Sequence, residues 1–423
     1  MFLRLIFIQA NLYYVYDVAV VGAGPAGSTV SYCLAKEKIK VILFERHRFP
    51  RRKACAAGLS LYSIELLKEL GLFSEEYIVN ETHKCKIDFV IAKEVFEADA
   101  HICLTTREQF DEYLARRAQE AGAELHEGEG VKSISIKDDF VEIRTSKAVY
   151  RSKVVVLACG QPNVLGKSIG LYPNYGKAIA FEFNAPLPTE YNLDYCEFYF
   201  SLDKDFAGYF WIFPKKGFAN YGVGTWLHTV TVMKKKYGSV VEWTKSILKD
   251  LGYWNKIKDI KKHLTKIKGA IVPVYTNAKA EDMVMDRAIA IGDAAGLVRY
   301  SGEGICYALK SGQLAAKALM KCIEENKFDK QTLVKYYTEP LDKEVLRELK
   351  YTSKIEKIMT YATDAVIDLL KKEPEVLNLL GKMLEHSISD EKYFNESSKY
   401  ARKHISIAAR MMAALLRGTL KGT

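Results

Sequence analysis

The stretch that most constrains this chain is Tyr16-Asp-Val-Ala-Val-Val-Gly-Ala-Gly-Pro-Ala-Gly-Ser28. Asp17 to Val21 read as a short buried parallel strand. Gly22-x-Gly24-x-x-Gly27 then forms a turn into a helix that starts near Pro25. The first glycine permits the tight turn and the second lets backbone approach a pyrophosphate. The third lets the helix pack close to the strand. Open N–H groups at the helix start, helped by the helix dipole, bind phosphates. Glycine-rich turns are common, so the context matters. Here a second strand follows, Val41-Ile-Leu-Phe44, and it ends in Glu45, where a dinucleotide's ribose hydroxyl would be held. The pattern points to dinucleotide binding, against the alternative of a structural βαβ turn with no ligand.

A chain of 423 residues predicts two or three domains or one large α/β unit. Its formal charge of +10 suits an anionic cofactor, an anionic substrate or a membrane surface, or simply a solvated lysine-rich exterior. Nucleic acid is the weaker reading, because no nucleic-acid motif is present. Eight scattered cysteines form no CxxC and no Cys/His ligand spacing, so no metal site is expected. Reduced thiols in a cytoplasmic protein are the default, with a disulfide between distant positions left open. Met1 to Ala10 is apolar, broken by Arg4 and too short to span a bilayer. It reads as an interfacial anchor or an overlong start.

Further along, Arg46-His-Arg-Phe-Pro-Arg-Arg-Lys53 is a basic run that faces phosphates or is merely solvated. Cys55 follows among small residues, either beside a flat ligand or as an inert buried thiol. Leu61 to Leu70 has helical spacing with Gly71 as its stop, and residues 80 to 104 look like strands. Thr105 to Gly122 is a strong helix, capped by Thr105 or Thr106. Arg107 sits in its first turn, where a cation opposes the dipole unless an anion compensates. That makes it a cofactor-contact candidate or a solvated arginine. Strands return at Glu124 to Glu127, from Val131, and at Lys153 to Gly160.

From Ala178 to Trp226 the period becomes two, and antiparallel, aromatic-rich strands of a second domain are expected. They wall an apolar pocket or form ordinary sheet core. Ser239 caps a helix over Val240 to Leu251. Ala288 to Gly296 is strand, turn and helix start, with Asp293 placed for a ribitol or ribose hydroxyl or acting as a plain cap. Gly302-Glu-Gly-Ile305 opens another helix. From Asp329 the chain reads as helical, with breaks at Pro340 and Pro374. A closing helix over Asn395 to Gly418 groups Ile405, Ala408, Met412 and Leu415 on one face. That face suits an anionic membrane surface or the protein's own core.

The series GAGPAG, Glu45, KACAAGLS, TTREQFDEYLA, ACGQPNVLGK, GYFWIFP and GDAAGLVRYSGEGI resembles the geranylgeranyl reductase family, over residues 16 to about 325. These are FAD enzymes with the p-hydroxybenzoate hydroxylase fold. The resemblance implies an α/β protein: a Rossmann-like FAD-binding domain, an antiparallel-sheet substrate domain and a helical C-terminal region. The expected division is 15–60, 100–170 and 275–328 for the first, 61–99 and 171–274 for the second, and 329–423 for the third. By resemblance Gly22, Gly24, Ala26 and Gly27 contact the FAD diphosphate, and Glu45 the adenosine ribose. Cys55, Ala56 and Gly58 lie beside the flavin, while Arg107 and Val131 complete the cleft. Asp293 binds the ribitol side, and Gly304 and Ile305 reach the isoalloxazine. Tyr209, Trp211 and Phe213 border a pocket for a polyprenyl chain.

GYFWIFP also resembles the GWxWxIP segment of flavin halogenases, which keeps a monooxygenase or halogenase of an aromatic substrate as the alternative. Hydroxylases of this fold carry Asp-Gly where Cys159-Gly160 stands, and the loop after Gly296 lacks the proline usual there. The expected activity is saturation of isoprenoid double bonds, as on archaeal-type ether lipids. Cys55 is the candidate catalytic side chain, close to the proton source. With no second glycine-rich fingerprint, the electron donor is expected to be reduced ferredoxin or a transiently bound NAD(P)H. A polyprenyl lipid partner and peripheral contact at the inner face of the membrane complete the expectation.

Overall fold

The computed structural model describes residues 15–203 and 205–420, so the apolar Met1 to Ala10 segment lies outside the described residues. In chain order the strands and first helices are β1 Val15–Val21, α1 Pro25–Lys36, β2 Val41–Glu45, β3 Gly58–Leu59, α2 Leu61–Leu70, β4 Asn80–Phe89, β5 Glu94–Leu104 and α3 Arg107–Glu120. They continue with β6 Glu124–Glu127, β7 Val131–Ile136, β8 Val141–Thr145, β9 Val149–Leu157, β10 Gly176–Ala185, β11 Tyr195–Phe200, β12 Gly208–Lys215 and β13 Phe218–Trp226. β14 Lys268–Val274, β15 Val284–Met285 and β16 Ala288–Ala290 complete the strands.

Two sheets result. The first runs β15-β16-β9-β1-β2-β6, with the β7–β8 hairpin joined to β9. Its central pairs are parallel, with Val18 opposite Val41 and Val154. Burial on both faces explains their unbroken valine and isoleucine runs. The glycine turn therefore opens at the carboxyl edge of the central strand, where α/β folds hold ligands.

The second sheet runs β14-β10-β13-β12-β11-β4-β5-β3. It is mixed rather than wholly antiparallel: β11 runs parallel to β4, with Cys196 opposite Cys85. The period-two pattern is the same for either pairing direction, so alternation could not reveal this. On β12, alternation turns Tyr209, Trp211 and Phe213 to one face and Phe210 and Ile212 to the other. The second set joins Phe183, Tyr221 and Trp243 in a closed core.

Ala288 to Gly296 departs from expectation. After β16 comes a single 3₁₀ turn, Gly292–Ala295, closed by Gly296 in the left-handed region. The long helix begins later, Ile305–Glu325, with Gly304 at its N-cap. Pro340 does not break the helical run from Lys330 to Tyr361. π turns at Val334–Thr338 and Asp342–Leu346 flank it, and a widened turn gives the pyrrolidine ring room at the carbonyl four residues back. Pro374 does open a new helix, Pro374–Leu384.

The closing segment is two helices, Asp390–Arg402 and Ile405–Leu420. The face buried in the last one carries Ile407 and Ala414, with Met411 and Leu415 packed alongside. Ile405 is 86% exposed, and Met412 is exposed with it. The predicted grouping was therefore rotated, keeping only Leu415 on the packed side. Pro374–Leu384 packs on β5, where a Cβ on Gly381 would lie 2.2 Å from the Asp99 carbonyl oxygen, and the last helices share one apolar cluster with Ile87, Phe89 and Ala98.

Candidate functional site: a cofactor cleft against an aromatic wall

At the glycine turn, space dictates the residues. Gly22 has φ +105°, and a Cβ there would lie 2.4 Å from the Ala158 carbonyl oxygen. A Cβ on Gly27 would lie 1.8 Å from the Gly22 carbonyl oxygen, so the helix could not approach. Gly24 differs: its Cβ would meet nothing nearer than Arg51 Nη2 at 3.8 Å. Gly24 is also the N-cap of α1 and brings no side-chain cap to the free N–H groups. Ala26 is buried against the Gly292 turn. An open cradle of backbone donors at a helix start fits a diphosphate.

Glu45 ends β2 and is buried. Its carboxylate accepts from the backbone N–H of Ala23 at 3.3 Å and of His47 at 3.0 Å, and meets Arg51 Nε at 3.0 Å. Val131 opens β7, two residues after Glu129, whose N–H donates to the Glu45 carbonyl. Val131 does not line the main cavity.

The basic run divides: Arg46, His47 and Arg48 are exposed, while Arg51, Arg52 and Lys53 are partly buried and paired. Arg51 bridges Glu45 and Asp111, the latter at 2.9 Å. Arg52 pairs with Glu182 at 3.1 Å, and Lys53 Nζ reaches Asp293 Oδ2 at 2.8 Å. Glu45 is near in the chain, but Asp111, Glu182 and Asp293 lie 60, 130 and 240 residues from their partners. Arg107 is only 4% exposed, and its compensating anion is Asp111, one turn on, through two bonds of 2.7 Å. Burial works to lower the Arg107 pKa, but the Asp111 charge and hydrogen bond, with Cys55 beyond, hold it raised. Burial would likewise raise Asp111 and Asp293. Arg107 and Arg51 hold the first below its ordinary value, and Lys53 with Arg107 does so for the second.

Between the two sheets lies a cavity of about 230 Å³. One wall carries Lys53, Cys55, Ala56, Gly58, Arg107, Asp293, Gly304 and Ile305, and the other Phe198, Tyr209, Trp211, Phe213 and Trp226. The structure thus brings the flavin-side and pocket-side predictions to one space. Its lining is mostly apolar, with the charges of Lys53, Arg107, Asp293 and Glu303 on the first wall and Glu182 on the second sheet. The aromatic wall is held by specific contacts. Trp211 Nε1 donates to Asn220 Oδ1 at 2.8 Å, and the Tyr209 hydroxyl donates to the Ser301 carbonyl. Gly222 makes room for the indole, since a Cβ there would lie 2.0 Å from Trp211 Cζ2. Cys55 Sγ accepts from Ala57 N–H at 3.3 Å.

The FAD binding domain family matches residues 15–153. A digeranylgeranylglycerophospholipid reductase of Methanocaldococcus jannaschii is 29% identical over 405 residues, covering 90% of this chain and 98% of its own. A chloroplastic geranylgeranyl diphosphate reductase of Arabidopsis thaliana is 27% identical over 385 residues, covering 84% and 77%. This chain is an FAD-dependent oxidoreductase related to the geranylgeranyl reductases. Among solved structures, a geranylgeranyl bacteriochlorophyll reductase-like protein of Thermoplasma acidophilum superposes with a TM-score of 0.76 at 22% identity, over 92% of this chain and all of the other. The flavin-dependent brominase Bmp2 does so at 0.68 and 18% identity, again over 92% of this chain, so the two share the fold.

Sequence reasoning missed several residues of this reductase relative. Glu182 is buried in the cavity wall, held by Arg52 and by Asn220 Nδ2 at 2.7 Å, and burial raises its pKa despite both. Lys215 ends the aromatic strand, 3% exposed, with its ammonium on the Thr105 carbonyl. Arg299 sits in the loop lacking the expected proline, clamped by Asp390 of the C-terminal helices through Nε at 3.0 Å. A charged residue at an inward strand position was the available signal for Glu182 and Lys215. Nothing local marked Arg299, because its partner is distant in sequence.

Proposed function

We propose that this protein saturates carbon–carbon double bonds of geranylgeranyl or other polyprenyl chains, with archaeal-type ether lipids as the favoured carriers. The observation that carries the reading is the cavity between the FAD-side residues and the aromatic wall of Phe198, Tyr209, Trp211 and Phe213. Its apolar wall accepts an alkyl chain and excludes water. Bound FAD, once reduced, supplies the hydride. The residues around it position and protect. The glycine turn and Glu45 seat the cofactor's diphosphate and ribose, and Asp293, Gly304 and Ile305 its ribitol and ring. Tyr209, Trp211 and Phe213 align the alkene, which is a poor hydride acceptor and reacts only when closely placed. Cys55 Sγ lies on the cofactor side of the cavity as the proton donor to the second alkene carbon.

Electrons come from reduced ferredoxin or NAD(P)H. Among the described residues no helix is long and apolar enough to cross a membrane. The lipid is met at the cytoplasmic membrane face by peripheral contact, supported by the exposed Ile405 and Met412 on the last helix, with the exposed Arg402 and Lys403 just ahead of its first turn. The test is anaerobic incubation of the chemically reduced, FAD-loaded protein with digeranylgeranyl lipid. Product masses rise by two hydrogens per bond reduced. An absence of mass gain, with oxygen-dependent conversion of an aromatic substrate instead, would overturn the reductase reading in favour of a monooxygenase or halogenase.

A further inference from the structure

Away from the cleft, β4 and β5 bring three metal-binding side chains together. Glu81 and Cys103 are directly paired across the two strands, and His101 lies two residues before Cys103 on the same face. His101 Nε2 stands 2.9 Å from Glu81 Oε2 and 3.7 Å from Cys103 Sγ, and all three ligand atoms lie within 4.8 Å of one another. A tetrahedral Zn²⁺ sets its N, O and S donors roughly 3.3–3.6 Å apart, so small side-chain rotations suffice. A simple His–Glu surface pair would not need a thiol on the same nitrogen.

The surroundings hold the imidazole in place. The ladder shifts register between Thr82 and Lys84, and the irregularity carries His83. The His83 ring lies flat on the His101 ring, with centroids 4.9 Å apart and planes within 15°. Asp194 in turn takes His83 Nδ1 at 2.8 Å and its backbone N–H at 2.9 Å. Because the two rings are stacked, a metal in the plane of His101 is not in reach of His83 in its own plane. The stack orients, and the fourth position falls to water.

We propose that Glu81, His101 and Cys103 bind one divalent transition ion of the Zn²⁺ type. A thiolate, an imidazole and a carboxylate select such an ion over Mg²⁺ or Ca²⁺. The Cys103 thiol loses its proton to solvent as the metal–sulfur bond forms, with no change of oxidation state. The site would brace the sheet beneath the cofactor loop. Cys103 is paired with Leu59 on β3, which directly continues the Cys55 to Gly58 segment. The spacing Glu81…His101-x-Cys103 matches no common zinc pattern, which is why the sequence alone pointed away from metal.

The test uses the full-length, FAD-loaded protein stripped with chelator and titrated with Co²⁺. The expected result is one equivalent bound, with a thiolate-to-cobalt charge-transfer band in the difference spectrum and tetrahedral d–d bands to the red of the flavin. Equimolar Zn²⁺ bleaches both. Cys103→Ser and His101→Ala each abolish the bands. His101 is partly exposed, so its variant reports on binding even if burial of a serine at 103 harms folding. Absence of a charge-transfer band in the parent protein, or its survival in His101→Ala, would overturn the assignment.

Discussion

Lys215 offers a test of the buried electrostatics beneath the aromatic strand. Burial pushes its ammonium down from 10.5 to about 8, although Cys55, Glu108 and Glu182 act in the opposite sense. The unfolded chain therefore holds this proton to higher pH than the fold does. At pH 7 both states carry the charge, and the fold bears the whole cost, roughly 3 kcal/mol at about 1.4 kcal/mol per pH unit. Above pH 8 the native lysine neutralises and the cost fades, so this residue makes stability rise with pH up to 10.5. Lys215→Met removes that dependence. It also strips the Thr105 carbonyl of its donor, a pH-independent loss of about 1–3 kcal/mol. The slope is thus the diagnostic quantity, and groups common to both proteins cancel in it. Urea unfolding of both proteins, equally saturated with FAD, should show the stability difference moving towards the parent by about 2–3 kcal/mol between pH 7 and 10. A difference that stays constant over that range would refute the reasoning.

Gly27→Ala places a Cβ where the Gly22 carbonyl oxygen already is. The purified variant should be colourless and fail to turn yellow with added FAD, as followed by visible absorbance. Gly222→Ala drives into the Trp211 ring. It should cost about 1–3 kcal/mol in stability and raise KM for a polyprenyl substrate while the flavin spectrum stays unchanged. Cys55→Ala should lower kcat by about 100-fold or more if the thiol delivers the proton, and unchanged turnover with intact FAD would dismiss that role. Asp390→Asn leaves the Arg299 guanidinium buried without its closest carboxylate. A loss of about 3–5 kcal/mol is expected in thermal or urea unfolding.

The strand–turn–helix at residues 15–36 was legible because three glycines, a preceding apolar strand and a following helix all make the same demand. The cap and stop of α3, Thr106 and the Gly122 turn, were equally local. What could not be read were pairings across long separations. Arg51, Arg52 and Lys53 look like a solvated run until Asp111, Glu182 and Asp293 arrive from three other elements. Arg107 posed the right question, which anion compensates it, and the answer lay one turn along its own helix. Pro340 misled because a π turn removes the clash that normally ends a helix. The last helix misled because small and large apolar residues surround it, so periodicity alone did not choose the buried face. Glu81, His101 and Cys103 depend on strand register, which no local pattern encodes.

The clamp between Arg299 and Asp390 bears on how such proteins can be recombined. The loop after Gly296, which lines the cavity, and the helices near the carboxyl end carry opposite halves of one buried charge pair. Neither half can be exchanged alone with a chain that lacks the other half. A chimera joined between residues 305 and 385 should therefore fold well only when both halves come from the same parent.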